Sequence, residues 1–373
     1  MKNKLLNILK LEEKEWLSFL GVFLITLGNY FYVSWMNKIF RTVLAAVIVI
    51  TGIVFLSFDI IKNLKEKKYT KKQLKTIGIL VGAGVLVWHA ISVYYTVIVM
   101  VMHFLDKDFR KLFKYIFISS VFSFGLLVLL NIIGLIPGYV MHRGILKRYS
   151  LGFKHPNILF RMYITILISG AIMYKNDKYF LIGSLIIGML LFLLTNSRAG
   201  VVVLLIFYLL SILPKNIKRK FAFNKCIPYL FVFGILVSTL TGLIFGDGEV
   251  LNGVGSGRPG IWYTYLQNIS VIGRFNRVNN LPLDNLYLHI LAYGGIIGVI
   301  FYIWLYFVSF SKKVNKGNYN VFIIFAITLV YGYAESMSLQ SESYFLILLI
   351  MQLMDCKKLE ELDDDYIERT EKI

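Results

Sequence analysis

Apolar residues fill most of this chain in blocks separated by short charged stretches. The blocks cover residues 16–34, 42–61, 74–90, 92–105, 112–136, 158–174, 179–195, 199–213, 229–245, 286–310, 320–335 and 344–354. Each approaches the ~20 residues that a perpendicular bilayer crossing needs. The pattern predicts an all-α polytopic membrane protein with about 12 transmembrane helices. Several blocks are short, and 74–105 reads equally as one long helix, so the count lies between ten and fourteen.

Composition sharpens this picture. Of 373 residues, 57% are apolar and 16% charged, and the mean hydropathy is +0.69. A soluble domain holds about 45–50% apolar residues, so a cytosolic enzyme and a disordered chain are both excluded. With 29 Gly, only 6 Pro and no Pro-rich or Gly/Ser-rich run, nothing marks a linker, and residues 1–373 read as a single integral membrane domain. The first block follows Glu12, Glu13 and Glu15 and has no small-residue cleavage site after it, which makes it an anchor rather than a signal peptide. Cys226 and Cys356 are too few for a disulfide framework or a four-ligand zinc site.

Charge gives the orientation. Threading from a cytoplasmic amino terminus puts Lys62–Lys75, Lys107–Lys114, Lys215–Lys225 and Lys312–Lys316 on one side, with most of the 40 Lys and Arg. This is the positive-inside pattern, and it places both termini, including an acidic tail at 355–373, in the cytoplasm. The net charge of +19 is then an orientation signal and an attraction to anionic headgroups, with no need for nucleic acid.

The residues left outside are informative. Arg143, Lys147, Arg148, Lys154, Arg161, Arg198, Arg258, Arg274 and Arg277 fall at outer helix ends or in the outer loops 137–157 and 246–285, the second being the one longer loop. Basic groups kept on the unfavoured side have a physical reason if the ligand is a polyanion, although Lys154, Arg274 and Arg277 equally suit snorkelling. Arg198 lies in the tight turn Asn196-Ser197-Arg198-Ala199-Gly200. Arg258 lies in Ser256-Gly257-Arg258-Pro259-Gly260, after Gly246-Asp247-Gly248 and before Trp262, Tyr263 and Tyr265. Guanidinium groups grip phosphate bidentately and stay charged, so the pair suits a diphosphate leaving group, with Arg143, Arg148 and Arg161 as further basic candidates. The aromatics offer stacking faces to sugar rings. Asp284, in Leu283-Asp284-Asn285-Leu286-Tyr287-Leu288, reads either as a helix N-cap or as a general base for a sugar hydroxyl.

In this order, the turn at Ser197–Gly200, Gly257-Arg258 to Trp262, and Asp284-Asn285-x-Tyr287-Leu288 before a Gly-rich helix resemble the O-antigen ligase and polymerase superfamily. Gly152-Phe153-Lys154-His155-Pro156-Asn157 resembles a stretch of Wzy-type capsule and exopolysaccharide polymerases. The resemblance covers about 115–310. It implies a GT-C-like, metal-independent, cofactor-free inverting glycosyltransferase at the outer face of the bacterial plasma membrane. Its substrates would be undecaprenyl-diphosphate-linked oligosaccharides, its phosphate-binding arginines Arg198 and Arg258, and its sugar contacts Trp262, Tyr263, Asn285, Tyr287 and His155. A flippase and a chain-length regulator of the same pathway are the partners it implies. The ligases carry His where Asp284 stands, which favours the polymerase branch and leaves the base open between Asp284 and His289.

Asp106-Lys107-Asp108 has the spacing of a metal-binding pair, but lies among Lys and Arg in a short turn, where structural charge pairing is preferred. Two rival functions remain: a ligase-like transferase with another acceptor, and a flippase or transporter for lipid-linked oligosaccharide.

Overall fold

A computed structural model describes residues 15–84, 91–105, 107, 109–143, 146–174, 177–213, 223–246, 257–274, 278–281, 283–311, 319–335, 346–347 and 349–350. Among them are twelve α-helices: α1 (Trp16–Tyr32), α2 (Lys38–Lys65), α3 (Lys71–Ala83), α4 (Ile91–Phe104), α5 (Phe109–Ile132), α6 (Pro156–Tyr174), α7 (Lys178–Thr195), α8 (Arg198–Ser211), α9 (Ile227–Phe245), α10 (Arg258–Leu266), α11 (Leu286–Ser311) and α12 (Tyr319–Ala334). Six of them are long and apolar enough to cross a bilayer, namely α2, α5, α6, α7, α9 and α11. The protein is a membrane-embedded helical protein. Eleven of the apolar blocks carry a helix; of the twelfth, 344–354, only residues 346–347 and 349–350 are described, as helix. The acidic tail 355–373 lies outside the described residues.

Two elements differ from the sequence expectation. Loop 137–157 holds an antiparallel hairpin of β1 (Val140–Arg143) and β2 (Leu146–Tyr149), pairing Met141 with Arg148 and His142 with Lys147. Loop 246–285 holds α10, nine residues opening on Arg-Pro, whose proline sits in the first turn where it loses no helical hydrogen bond. Both are too short and too polar to register as bilayer-length blocks.

The chain divides into two compact units. Residues up to Thr70 with Val99–Leu204 form the first, and Lys71–Ile98 with Leu205 onward form the second. In the first, α1 and α2 pack with their backbones nearly touching. A Cβ on Gly52 would lie 2.7 Å from the Gly21 carbonyl oxygen and 2.8 Å from Ile25 Cγ1, and one on Gly28 2.7 Å from Val49 Cγ2. Small residues drive such packing because lipid is as apolar as leucine and offers no hydrophobic force between helices. Accordingly α2 buries Ala45, Gly52, Leu56 and Ile60 and exposes Val43, Val47, Ile50, Val54, Phe58 and Ile61. Its start is capped by Asn37, whose side chain accepts from the Ile39 and Phe40 amides, and α7 is capped likewise by Asp177.

The two ends of this unit differ in chemistry. At one end Lys107 Nζ donates to Asp59 Oδ2 at 2.7 Å, to Ser18 Oγ at 3.0 Å and to His103 Nε2 at 2.8 Å, which uses all three of its protons. The Leu56 carbonyl, 3.1 Å from His103 Nδ1, can only accept, so the proton of the neutral ring sits on Nδ1. Lys107 thus staples three helices; Asp106 and Asp108, on which the charge-pairing reading rests, lie outside the described residues. At the other end the Trp35 and Lys154 amides bond to Gly152 and Val33, tying the end of α1 to the segment before α6. There Trp35 stacks on Tyr139 at 5.1 Å.

Candidate functional site

The motif Gly152–Asn157 serves architecture in the first unit. Phe153 is buried, Lys154 lies 4.3 Å over the Tyr32 ring, and His155 Nδ1 accepts the Asn157 amide at the start of α6. Asn157 Oδ1 in turn accepts from Arg148 Nη2 at 2.5 Å, while Arg148 Nε donates to the Thr195 carbonyl at 2.6 Å. Arg148 is buried and clamps the end of α7 to the start of α6. Arg161, one helical turn beyond Asn157, is also buried. Arg143 ends β1, and its side chain lies outside the described residues.

Arg198 is the first residue of α8 and is exposed. Asn196, in the left-handed conformation (φ 46°, ψ 45°), ends α7 two residues earlier, so the turn is as tight as its sequence suggests. Ser197 is 2% exposed, with a hydroxyl that bonds to no other described group. This puts an exposed arginine at a helix N-terminus, a combination suited to anions.

The second unit brings the rest together. The end of α9, the whole of α10, the start of α11 and the end of α12 meet at one end of it. Gly242 and Gly246 of that α9 end allow the approach: a Cβ on Gly242 would lie 2.6 Å from Leu266 Cδ1, and one on Gly246 would meet Tyr263 Cβ. Trp262, Tyr265 and Leu266 of α10 then pack with Leu283, Leu288, Ala292 and Tyr293.

Asn285 caps α11, its Oδ1 accepting the Leu288 amide at 2.9 Å. Its Nδ2 donates to Ser238 Oγ at 3.0 Å and to the Tyr333 carbonyl at 2.9 Å, so one fully buried carboxamide fastens α9, α11 and α12. The cap of α11 is therefore Asn285 and not Asp284. We expect Asn285→Ala to lower stability by about 2 kcal/mol or more, from the lost cap and two buried hydrogen bonds. Thermal unfolding in detergent micelles checks it, and an unchanged midpoint would remove Asn285 from this role.

Asp284 faces Arg258. Arg258 Nη2 lies 3.8 Å from Asp284 Oδ2 and 3.5 Å from Glu335 Oε1. The Asp284 side chain is 44% exposed, that of Arg258 29% and that of Glu335 9%. One guanidinium therefore stands between two carboxylates in unlike surroundings. The sequence reading did not include Glu335, although a signal was present: it is the only acidic residue of the block 320–335, and an acid at such a position is a functional candidate by default.

The expected sugar contacts divide. Trp262 is 3% exposed and edge-on to Tyr333 at 5.2 Å. Tyr287 is 2% exposed and donates to the Leu329 carbonyl at 2.6 Å. These two, with Asn285, are packed inward, while Tyr263 stays half-exposed on α10. His289, the alternative base, has its ring 4.4 Å from that of Tyr293.

Helix α11 is broken at Gly295 (φ 66°, ψ −168°). The segment 270–274 enters the break: the Ile296 and Ile297 amides bond to the Ser270 and Val271 carbonyls, and the Arg274 amide bonds to Ala292. Part of loop 246–285 thus folds back along α11, with backbone groups of the break and of the segment bonded to each other. Asp247, Gly248, Ser256 and Arg277 lie outside the described residues.

No protein-family model and no curated protein matches the chain.

Proposed function

We propose that this protein polymerises a surface polysaccharide at the outer face of the bacterial plasma membrane. It would be a GT-C-like bundle of about 12 spans with both termini in the cytoplasm. A growing glycan leaves undecaprenyl diphosphate and joins a fresh lipid-linked repeat, in a metal-independent inverting transfer. The observation that carries the reading is Arg258 beside Asp284 and Glu335. The reaction needs a cation for the departing diphosphate and a carboxylate for the proton of the attacking hydroxyl. Arg198, beside a helix N-terminus, is the second cation of the reading.

A flippase or transporter is the second reading, and the broken α11 is what favours it, since discontinuous helices line transport sites. In this helix the amides freed by the break are already bonded to segment 270–274, which leaves fewer donors for a cargo. The two readings separate in cells. Deletion of the gene is expected to leave lipid-linked single repeats that form and cross the membrane without lengthening. Repeats trapped at the cytoplasmic face would instead establish transport. Purified protein given defined lipid-linked repeats should produce a glycan ladder, and a ligase-like transferase with another acceptor would not.

A further inference from the structure

The pair of carboxylates around Arg258 is asymmetric. Asp284 has a side chain 44% exposed, so water competes for its oxygens and screens its charge; Glu335 is 9% exposed and nearer to Arg258, at 3.5 Å against 3.8 Å. Two acids in unlike surroundings take unlike roles, and the one in the drier site answers more strongly to the charges beside it. The decisive neighbour is shared. A guanidinium that grips a diphosphate bidentately has fewer donors left for a carboxylate. A carboxylate that loses a nearby cation in a water-poor site holds a proton more strongly.

We propose that Glu335, not Asp284, takes the proton of the attacking sugar hydroxyl, and that the donor's diphosphate switches it on by drawing Arg258 away from it. This rests on the polymerase reading above. The acceptor hydroxyl oxygen forms the new bond to the anomeric carbon as the bond from that carbon to the diphosphate oxygen breaks. The electron pair of the broken bond leaves with the lipid diphosphate, whose added charge Arg258 meets. The hydroxyl proton passes to Glu335 and from there to water. Glu335 accepts from Arg258, so a donor's diphosphate that draws Arg258 toward itself strengthens the base. Asp284 keeps an electrostatic hold on Arg258 and orients it.

The test uses the full-length protein in micelles with two readouts. These are binding of farnesyl diphosphate as probe, and ladder formation from undecaprenyl-diphosphate-linked repeats extracted from cells lacking the protein. Glu335→Gln should bind the probe at least as tightly as the wild type, because a competitor for Arg258 has been neutralised. Its extension rate should fall ~100-fold or more, the range of a lost general base. Asp284→Asn should lose less than ~10-fold, and Glu335→Asp, which keeps a carboxylate one methylene shorter, should recover part of the rate and serves if Glu335→Gln does not accumulate. Extension by Glu335→Gln at the wild-type rate overturns the proposal. So does a parallel loss of probe binding and extension, which would make Glu335 only a support for Arg258. A wild-type protein that neither binds the probe nor makes a ladder is a different failure, since it sinks the polymerase reading itself.

Discussion

Arg258→Ala is expected to reduce glycan extension ~100- to 1000-fold, the usual consequence of removing one preorganised donor from a developing oxyanion. Arg258→Lys should recover little, because an ammonium is a point charge and cannot hold two phosphate oxygens in a planar fork. The site adds a second consequence that the sequence alone does not suggest. Without Arg258, the Glu335 side chain, 9% exposed, loses a counter-charge with Asp284 still nearby, and a carboxylate in so dry a place gives up stability when its compensation falls. The single substitution should therefore lower stability as well as rate. Arg258→Ala combined with Glu335→Gln should regain most of the stability and none of the rate. That split separates the structural role of the arginine from its chemical one. Normal chain lengths in Arg258→Ala would remove the residue from the mechanism, whatever the unfolding midpoint does.

Hydropathy was enough to place eleven of the helices, because block length reports the bilayer and not the packing. It said nothing of which face of each helix turns inward. The buried stripe mixes small and polar residues with apolar ones: Gly52 and Ala45 with Leu56 on α2, Ser184 and Gly188 with Leu191 on α7, Ser238 and Gly242 with Phe231 on α9. The outer face is apolar as well, so no amphipathic pattern stands out. The same ambiguity governs the site. Arg258 announced itself as a charge in the outer loop and Asp284 as one at a block end. Asp284 and Asn285 are adjacent residues with equal claims to a cap, and only the hydrogen bond from Leu288 to Asn285 divides the roles. Trp262 and Tyr287 had the side chains of sugar contacts and the burial of packing residues, since a ring fills a helix interface as readily as it stacks on a pyranose. Glu335 lies about fifty residues beyond Asp284, with no local motif around it. Its nearness to Arg258 belongs to the tertiary fold.

The break in α11 yields the other large effect. Gly295 holds φ 66° and ψ −168°, a region essentially closed to residues with a side chain. A Cβ there would run into the backbone of Gly273 and Val271, which no rotamer change relieves. Gly295→Ala therefore has two outcomes, both costly. Either the strained backbone is kept against the clash, or α11 closes into a continuous helix and expels segment 270–274. Expulsion strips partners from the carbonyls of Ser270 and Val271 and from the amide of Arg274, and each group left unsatisfied in hydrocarbon costs several kcal/mol. A loss of ~3 kcal/mol or more is expected on the strain and desolvation together, with a lower unfolding midpoint and faster amide exchange at Arg274. Gly125→Ala in α5 is the control, because a Cβ there meets nothing within 4 Å and alanine is the better helix former. Equal midpoints for the two variants would mean that α11 is continuous in the membrane and that loop 246–285 stays at its surface.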